Sequence, residues 1–468
     1  MWHKWYGSAL VIMVVSMALS WLSYVWPDTQ IWILMSILAI VFVASCYRLL
    51  FGVAVVIAEL VIGSQGHMIG QLRLGLFLAV FLAGIIWIIR ERRIAFLYTR
   101  YWKWYLALSC VLALAVLTAW WYGNSLTYLF LDLNGYLFVA MIIPFTQALR
   151  TETDLKKLLA VFWAGLTILL IETMVILFVF SHPAAFQYYL PELYRWLRDF
   201  RLAEITAQDN NFTRIFFQSH LYVLFGFIAA SLQFITKQSH RLTLLALGAT
   251  LLLLFVSYSR SFWVSTIVVV VILTVLAYRQ KMFWKYLGSV LLSAAIGSVI
   301  VLGIINIPLF GSGAGVDASS LLTDRTDVTT DVGGGSRLAL LPPLTLAALQ
   351  HPLLGSGFGT TVSYATKDPR ALEQNSDGMY TTYAFEWGYL DLWLKLGLVG
   401  ALVYISIVVA ILLRLWYLRD HPIAMVAGMG VLAVGIVHLF TPYLNHPLGI
   451  GWIVLATSIA NIYDATHR

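Results

Sequence analysis

The chain has 468 residues, of which about 61% are hydrophobic and 11% are charged, and its mean hydropathy is +0.85. A soluble protein of this length needs a far larger share of charged surface, so the composition excludes an ordinary soluble enzyme. The formal net charge of +7 is spread over loops, as membrane topology requires, and it does not indicate nucleic-acid binding. We therefore expect a multi-pass membrane protein with membrane lipid as a partner and no nucleic-acid partner.

Apolar runs separated by short polar breaks predict the transmembrane helices, because about 20 apolar residues in a helix cross a hydrocarbon core of about 30 Å. We predict an all-α, polytopic transmembrane bundle of about 12–14 helices with a long extracytoplasmic loop that contains short helices. The approximate helix ranges are 8–25, 30–46, 49–64, 73–90, 104–121, 125–147, 156–181, 215–235, 242–257, 260–278, 284–306, 388–416, 423–441 and 446–464.

The basic short loops all fall on one side of this bundle, which the positive-inside rule assigns to the cytoplasm. Both termini are then cytoplasmic, in the cytoplasmic (inner) membrane, and two longer segments face outward as extracytoplasmic loops. The predicted organisation is an N-terminal helical region over 1–181, a first loop over 182–214, and a core over 215–468 that contains the long loop 307–387. Loops this long in a compact scaffold commonly carry function.

Three arginines lie on the outward-facing side, against the positive-inside bias. Arg214 stands in NNFTR at the head of a predicted helix, and Arg260 stands in SYSRSFW between two apolar runs. Arg337 stands in GGGSRLALLPP, at the start of a short loop helix predicted over 337–350. Guanidinium groups bind phosphate oxygens two at a time, so three of them suit a diphosphate. The alternative is interfacial placement or local ion pairing, for which the acids considered are Asp209, Asp324 and Asp331.

A glycine-containing segment, HPLLGSGFGTT, follows the predicted loop helix. Gly355, Gly357 and Gly359 permit tight turns and close approach of the backbone to another group. No Lys-Ser/Thr pair follows these glycines, so the segment is not a nucleotide-binding P-loop. The sequence leaves open whether the glycines support a turn that returns the chain to the membrane or contact phosphate directly.

Three motifs occur in a fixed order: SYSRSFW, then SRLALLPPLTLAALQHPLLGSGFG, then EWGYLDLWLKLGLVGALV. Together they resemble the O-antigen ligase/polymerase superfamily over roughly residues 210–416. The resemblance implies a membrane glycosyltransferase that moves a glycan from a polyprenyl (undecaprenyl) diphosphate-linked donor to a hydroxyl of a glycan or glycolipid acceptor, with no metal and no cofactor. It also implies that Arg260 and Arg337 bind the donor diphosphate, and Arg214 fits the family arginine that opens an earlier helix.

The last motif departs from the family pattern, in which a His-Asn pair stands where this chain has Glu386 and Trp387. We interpret Glu386 as the general base in place of the histidine, since a carboxylate of suitable pKa can accept a hydroxyl proton. Asp391 is the reserve carboxylate, because helical spacing predicts that it lies beside the face of Glu386.

Other interpretations of Glu386 stay open at this point. The carboxylate also suits a structural role at the start of a helix, where its charge complements the dipole, or in an ion pair with Lys395. The base would then lie elsewhere, for example at His351 or His220.

Several functions remain compatible with these motifs. The leading one is glycan transfer by an O-antigen ligase-like enzyme. The first alternative is an O-antigen or exopolysaccharide polymerase of the same superfamily. A lipid-linked glycan transporter or flippase would require ionisable residues along a path through the bilayer, whereas the predicted site groups gather at one face. A non-enzymatic scaffold would leave the three arginines and Glu386 without a shared site.

Overall fold

The predicted helical bundle is confirmed by a computed structural model. The structure describes residues 2–63, 72–199, 201–207, 212–237, 241–309, 332–367, 372, 375 and 377–466. Within these residues, ten helices are long and apolar enough to cross a membrane, and four shorter apolar helices accompany them. Each of the fourteen corresponds to one of the fourteen predicted ranges. If every one of them crosses, their even number places both termini on the same side.

The elements follow one another with short connections in the first half of the chain. The helices are α1 (Trp2–Val25), α2 (Gln30–Tyr47), α3 (Leu49–Ile62), α4 (Leu72–Glu91), α5 (Trp102–Trp121), α6 (Leu126–Tyr136), α7 (Ile142–Ala148), α8 (Glu152–Ser181), α9 (Pro183–Phe186) and α10 (Leu190–Asp199). The second half contains α11 (His220–Lys237), α12 (Arg241–Val256), α13 (Arg260–Arg279), α14 (Phe283–Asn306), α15 (Val332–Gln350), α16 (Gly388–Tyr417), α17 (Pro422–His438) and α18 (Pro447–Thr466).

Two short antiparallel hairpins lie on the side of the helical bundle that is predicted to face outward. Strand β1 (Glu204–Ala207) pairs with β2 (Thr213–Phe216), and β3 (Val362–Ala365) pairs with β4 (Met379–Thr382). The prediction of a helix from residue 215 is wrong at its start, because the chain continues as strand through Phe216 and α11 begins at His220. The short loop helix, predicted from 337, begins earlier, at Val332.

The centre of the bundle consists of helices that are apolar on every side. Eleven of the fourteen residues of α3 are buried, and 78% of the apolar window of α18 is buried. A helix that is hydrophobic all round belongs in such a core, because it has no polar face to expose. Helix α3 is about 21 Å long at 1.5 Å per residue, which is shorter than the hydrocarbon core of about 30 Å.

Helix α16 is interrupted at Gly397, whose φ of 68° and ψ of 174° are not helical. The interruption leaves backbone groups without partners in the helix, and the segment after α15 forms hydrogen bonds with them. Ser356 N donates to Leu394 O at 2.7 Å, and Leu398 N donates to Pro352 O at 2.8 Å. Irregular backbone at membrane depth requires such partners, since lipid offers none. The glycine-containing segment is therefore built into the broken helix.

Candidate active site

The structure brings Arg337 and Glu386 into direct contact. Arg337, on the second turn of α15, donates from Nε and Nη2 to the two carboxylate oxygens of Glu386, the second at 3.0 Å. Trp387 fixes this arrangement, because its indole N–H donates to the Arg337 carbonyl at 2.8 Å. The pair is open to solvent, with 39% of the Arg337 side chain and 49% of the Glu386 side chain exposed. Glu386 thus pairs with a predicted phosphate-binding arginine and not with Lys395.

Arg214 lies on strand β2, not at the head of a helix as predicted, because helix α11 starts at His220. Its Nε donates to the Ser257 carbonyl at 3.1 Å, and its guanidinium lies 4.6 Å from the ring centroid of Phe216. Glu204 on the paired strand stands 3.9 Å away. The alternative partners Asp209, Asp324 and Asp331 lie outside the described residues.

Arg260 is the first residue of α13 and is half-buried. The turn that precedes it contains Ser257, so Arg214 packs against the same turn that positions Arg260. Tyr258 in this turn has a positive φ of 50°, a conformation that non-glycine residues adopt at a cost. The strand and the α12–α13 turn therefore hold these two arginines in one region.

The connection between α17 and α18 links the two arginine regions. Thr441 donates to the Ser261 hydroxyl at 3.2 Å, one residue beyond Arg260. The neighbouring Phe440 ring lies 6.3 Å from the ring of Trp387, which itself bonds to Arg337. The connection therefore contacts Ser261 at the start of α13 and Trp387 before α16, and Trp387 in turn bonds to the backbone of α15.

Asp391 has different surroundings from Glu386, although helical spacing predicted that the two lie side by side. Asp391 Oδ1 lies 2.8 Å from Lys395 Nζ, and its other oxygen accepts from Asn445 Nδ2. Lys395 Nζ also contacts Asp132 Oδ1 at 2.7 Å and donates to the Tyr383 carbonyl at 2.9 Å. We call Asp132, Asp391, Lys395 and Asn445 the lysine cluster.

The three glycines of HPLLGSGFGTT have φ values of 75°, 79° and 75°. A Cβ at Gly355 would collide with the backbone of Lys395 and Gly397, and one at Gly357 with the backbone of helix α5. The backbone N–H of Gly359 donates to Asp132 Oδ2 at 2.7 Å. In this structure the loop glycines approach other parts of the protein backbone, which favours the turn-support interpretation over direct phosphate contact.

The two histidines considered as displaced bases lie in other settings. His220 is fully buried, and its Nδ1 accepts from the Phe217 N–H at 3.4 Å. His351 stacks on Tyr122 with ring centroids 4.4 Å apart, and its Nδ1 lies 3.2 Å from the Tyr122 hydroxyl. Neither contact involves Glu386 or the three arginines.

Sequence reasoning missed most of the lysine cluster and the cavity beside it. The cavity has a volume of about 310 Å³ and is bordered by Arg73, Asp132, Arg201 and Asn445, among others. A signal was present, because Asp132 stands inside the predicted helix 125–147, and an ionisable residue within an apolar run is by default a functional candidate.

Residues 244–405 match the family model described as O-antigen ligase. No curated protein matches the chain. The matched segment contains Arg260, Arg337 and Glu386, whereas Arg214 and Asp132 precede it. The resemblance predicted over roughly residues 210–416 is thereby confirmed over residues 244–405.

Proposed function

We propose that the protein transfers a glycan from a polyprenyl diphosphate-linked donor to a sugar hydroxyl at the outer face of the cytoplasmic membrane. Arg214, Arg260 and Arg337 bind the donor diphosphate, and Glu386 accepts the proton of the attacking hydroxyl. The long loop 307–387 contributes Arg337 and Glu386 to this site. A polymerase of the same superfamily, which joins glycan units to one another, uses the same chemistry and is the alternative.

One observation carries this proposal. The O-antigen ligase domain contains both Arg337 and Glu386, and these two residues meet in a two-point ion pair at the end of the bundle where α13 begins with Arg260. An arginine fork beside a carboxylate supplies a phosphate-binding group and a proton acceptor in one place.

The reaction forms one bond and breaks another at the anomeric carbon of the donor. The acceptor oxygen attacks this carbon while Glu386 takes its proton, and the bond from the carbon to the diphosphate oxygen breaks. The electron pair leaves with the polyprenyl diphosphate, whose charge the arginines stabilise. Attack opposite the leaving group inverts the configuration at the anomeric carbon. No cofactor is required for this balance.

The ion pair also suggests how donor binding prepares the base. While Glu386 holds the Arg337 guanidinium through both oxygens, the carboxylate faces the guanidinium and not an acceptor hydroxyl. A bound diphosphate competes for the same guanidinium fork, since phosphate oxygens match its geometry. Transfer of Arg337 from Glu386 to the diphosphate leaves the carboxylate free to face the acceptor hydroxyl.

The test uses a strain that lacks the gene, complemented with the wild-type protein, Arg260→Ala or Glu386→Ala. We expect both variants to reach the membrane. Glu386→Ala should lose product by about 10²–10⁴-fold, the range for loss of a general base, and Arg260→Ala by about 10²–10³-fold, the range for loss of one group that stabilises transition-state charge. Glu192→Ala and Arg195→Ala are matched controls, because this exposed pair on α10 has an N–O distance of 2.8 Å and lies outside the proposed site. Wild-type product with Glu386→Ala would remove its assignment as the base and leave the arginine site standing.

The glycan profile of the gene-deficient strain separates the two activities. Complete chains that stay on the carrier lipid identify a ligase, whereas single repeat units identify a polymerase. An unchanged profile contradicts both.

A further inference from the structure

The cavity of about 310 Å³ beside the lysine cluster lies where several parts of the chain meet, Asp391 and Lys395 of α16 and Arg201 among them. It is bordered by the start of α4, the middle of α6, the segment before α16, and the α17–α18 connection. Tyr383, Ala384 and Phe385 form part of its wall, and Glu386 follows directly. The cavity wall therefore ends one residue before the proposed base along the chain, and neither member of the Arg337–Glu386 pair borders the cavity.

The polar wall of the cavity is held rigidly by contacts within the protein. Lys395 bonds to Asp132 and to the Tyr383 carbonyl, and Asp132 accepts from the Gly359 N–H. The side chains of Lys395 and Asp132 are 3% and 9% exposed. Arg73 is buried as well, with Nε 3.0 Å from Glu59 Oε1 and Nη2 donating to the Gly63 carbonyl at 2.8 Å. Groups fixed in this way are preorganised for a ligand.

Two uncharged polar atoms of the wall residues have no hydrogen-bond partner within the described part of the chain. They are the Tyr136 hydroxyl and Asn445 Oδ1, and both are buried. A buried polar atom without a partner costs about 1–3 kcal/mol. A ligand that offers hydroxyl groups as donors and acceptors would satisfy both atoms, so these two atoms point to a polyhydroxylated ligand.

The charges around the cavity exclude an ionic ligand of high charge. The cations Arg73, Arg201 and Lys395 are balanced by Asp132 and Asp391, together with Glu59 behind Arg73. A diphosphate needs a surplus of cations, which this wall does not provide. The Tyr383 ring adds an aromatic surface, stacked 4.6 Å from the Tyr128 ring. Balanced charge, fixed polar groups and aromatic rings suit an uncharged sugar.

We infer that this cavity binds an uncharged sugar unit of the acceptor and presents its hydroxyl to Glu386. This inference rests on the proposed function for the identity of the acceptor, but the sugar site itself is testable without catalysis. Tyr136 and Asn445 are binding residues in this scheme, and Asp391 positions Asn445 by accepting from its Nδ2.

The test is saturation-transfer NMR on the full-length protein in lipid nanodiscs, which avoids sugar-based detergents. The probes are glucose, galactose and N-acetylglucosamine, with glucuronate and inorganic pyrophosphate as charged competitors. We expect at least one neutral sugar to bind. Tyr136→Phe and Asn445→Leu should each weaken binding about tenfold, the loss of one hydrogen bond of about 1.4 kcal/mol. Asn461→Leu, at the opposite end of α18, is the matched control and should bind like the wild type.

Tyr136→Phe also distinguishes binding from a structural role. Removal of an unpartnered hydroxyl should leave stability unchanged or raise it, while sugar binding falls. Equal binding by the wild type and both variants, or preferential binding of a charged competitor, overturns the inference. Glu386→Gln should bind sugar normally and lose transfer in cells. Normal transfer by Glu386→Gln together with lost sugar binding by Tyr136→Phe would remove the proposed base and leave the sugar site standing.

Discussion

Two groups of charges near the start of α16 differ in almost every physical respect. In the lysine cluster, the side chains of Lys395 and Asp391 are 3% and 4% exposed, and Lys395 contacts two carboxylates. The Arg337–Glu386 pair lies just before the helix, with 39% and 49% of the two side chains exposed. Buried charges must keep their partners, because an unpaired charge in the interior is strongly destabilising. Exposed pairs contribute little and exchange partners easily.

This difference assigns separate tasks to the two groups. A fixed network is suited to shaping a cavity. In the weak exposed pair, Arg337 can exchange Glu386 for an incoming phosphate. The reserve role predicted for Asp391 has to be weighed against this arrangement, since its oxygens are engaged with Lys395 and Asn445. Glu386, by contrast, contacts one charged group within the described residues, the Arg337 guanidinium.

The largest effect should come from Lys395→Met. This change leaves the carboxylates of Asp132 and Asp391 buried without their common cation, and removal of one partner of a buried ion pair costs about 3–5 kcal/mol. The measurement is the free energy of unfolding by SDS titration of the purified protein in bicelles. Lys156→Met is the matched control, because its ion pair with Glu152 is exposed, and it should change this free energy by less than about 1 kcal/mol.

A second variant separates loss of charge balance from loss of packing. The triple change Asp132→Asn, Asp391→Asn and Lys395→Met removes all three charges, and neutral replacements of buried ion pairs are often well tolerated. We expect it to recover most of the lost stability. A triple variant as unstable as Lys395→Met would show that the lysine side chain acts by packing and not by charge.

The next effect concerns pH and His446, which borders the same cavity. Burial, followed by the nearby Arg73 guanidinium, lowers the pKa of His446 from 6.5 to about 3. The folded protein thus binds fewer protons than the unfolded chain between these values, and stability present above pH 6.5 is lost as the pH falls toward 3. His446 should account for a loss of about 1.4 kcal/mol per pH unit below 6.5.

The measurement compares unfolding of the wild type and His446→Gln between pH 7 and 5. The difference between the two proteins should shrink as the pH falls, because the variant lacks the titrating group. His3→Gln, at an exposed position near the N-terminus, is the control and should follow the wild type at every pH. A constant difference between wild type and His446→Gln would contradict a neutral, buried His446.

The bundle could be predicted from sequence because the length and apolarity of a run determine whether it crosses a membrane. The order of motifs also selected Arg260, Arg337 and Glu386 as candidates, and the structure brings the last two into contact. The start of α11 was placed too early because Ile215, Phe216 and Phe217 continue the apolar run of the helix that follows, and pairing with β1 is a tertiary contact that no local pattern records.

The lysine cluster was harder to predict for a related reason. Asp132 and Lys395 are 263 positions apart, and a single sequence does not record which distant residues meet. The break in α16 could not be predicted for the same reason. In the sequence Gly397 is an ordinary glycine, and only the contact with the segment after α15 shows that the helix is interrupted there. Local propensity identifies elements, whereas the site depends on contacts between elements.

The smallest effect tests the exchange of Arg337 between Glu386 and a diphosphate. Glu386→Gln removes the negative charge that competes with phosphate for the guanidinium, so affinity for a diphosphate should rise. An exposed ion pair contributes about 0.2–1 kcal/mol, so its loss in Glu386→Gln should lower the dissociation constant for the diphosphate by roughly 1.4- to 5-fold. The probe is farnesyl diphosphate, a short polyprenyl diphosphate, titrated calorimetrically into the protein in nanodiscs.

Glu192→Gln provides the control, because it removes the same charge from the exposed pair with Arg195 and should leave affinity unchanged. Arg337→Gln should weaken binding of the same probe, since it removes the contested group. If Glu386→Gln bound farnesyl diphosphate no more tightly than the wild type, the carboxylate would not compete with phosphate for Arg337. Its pairing would then be a fixed contact like those of the lysine cluster, and the contrast between the two groups of charges would lose its functional meaning.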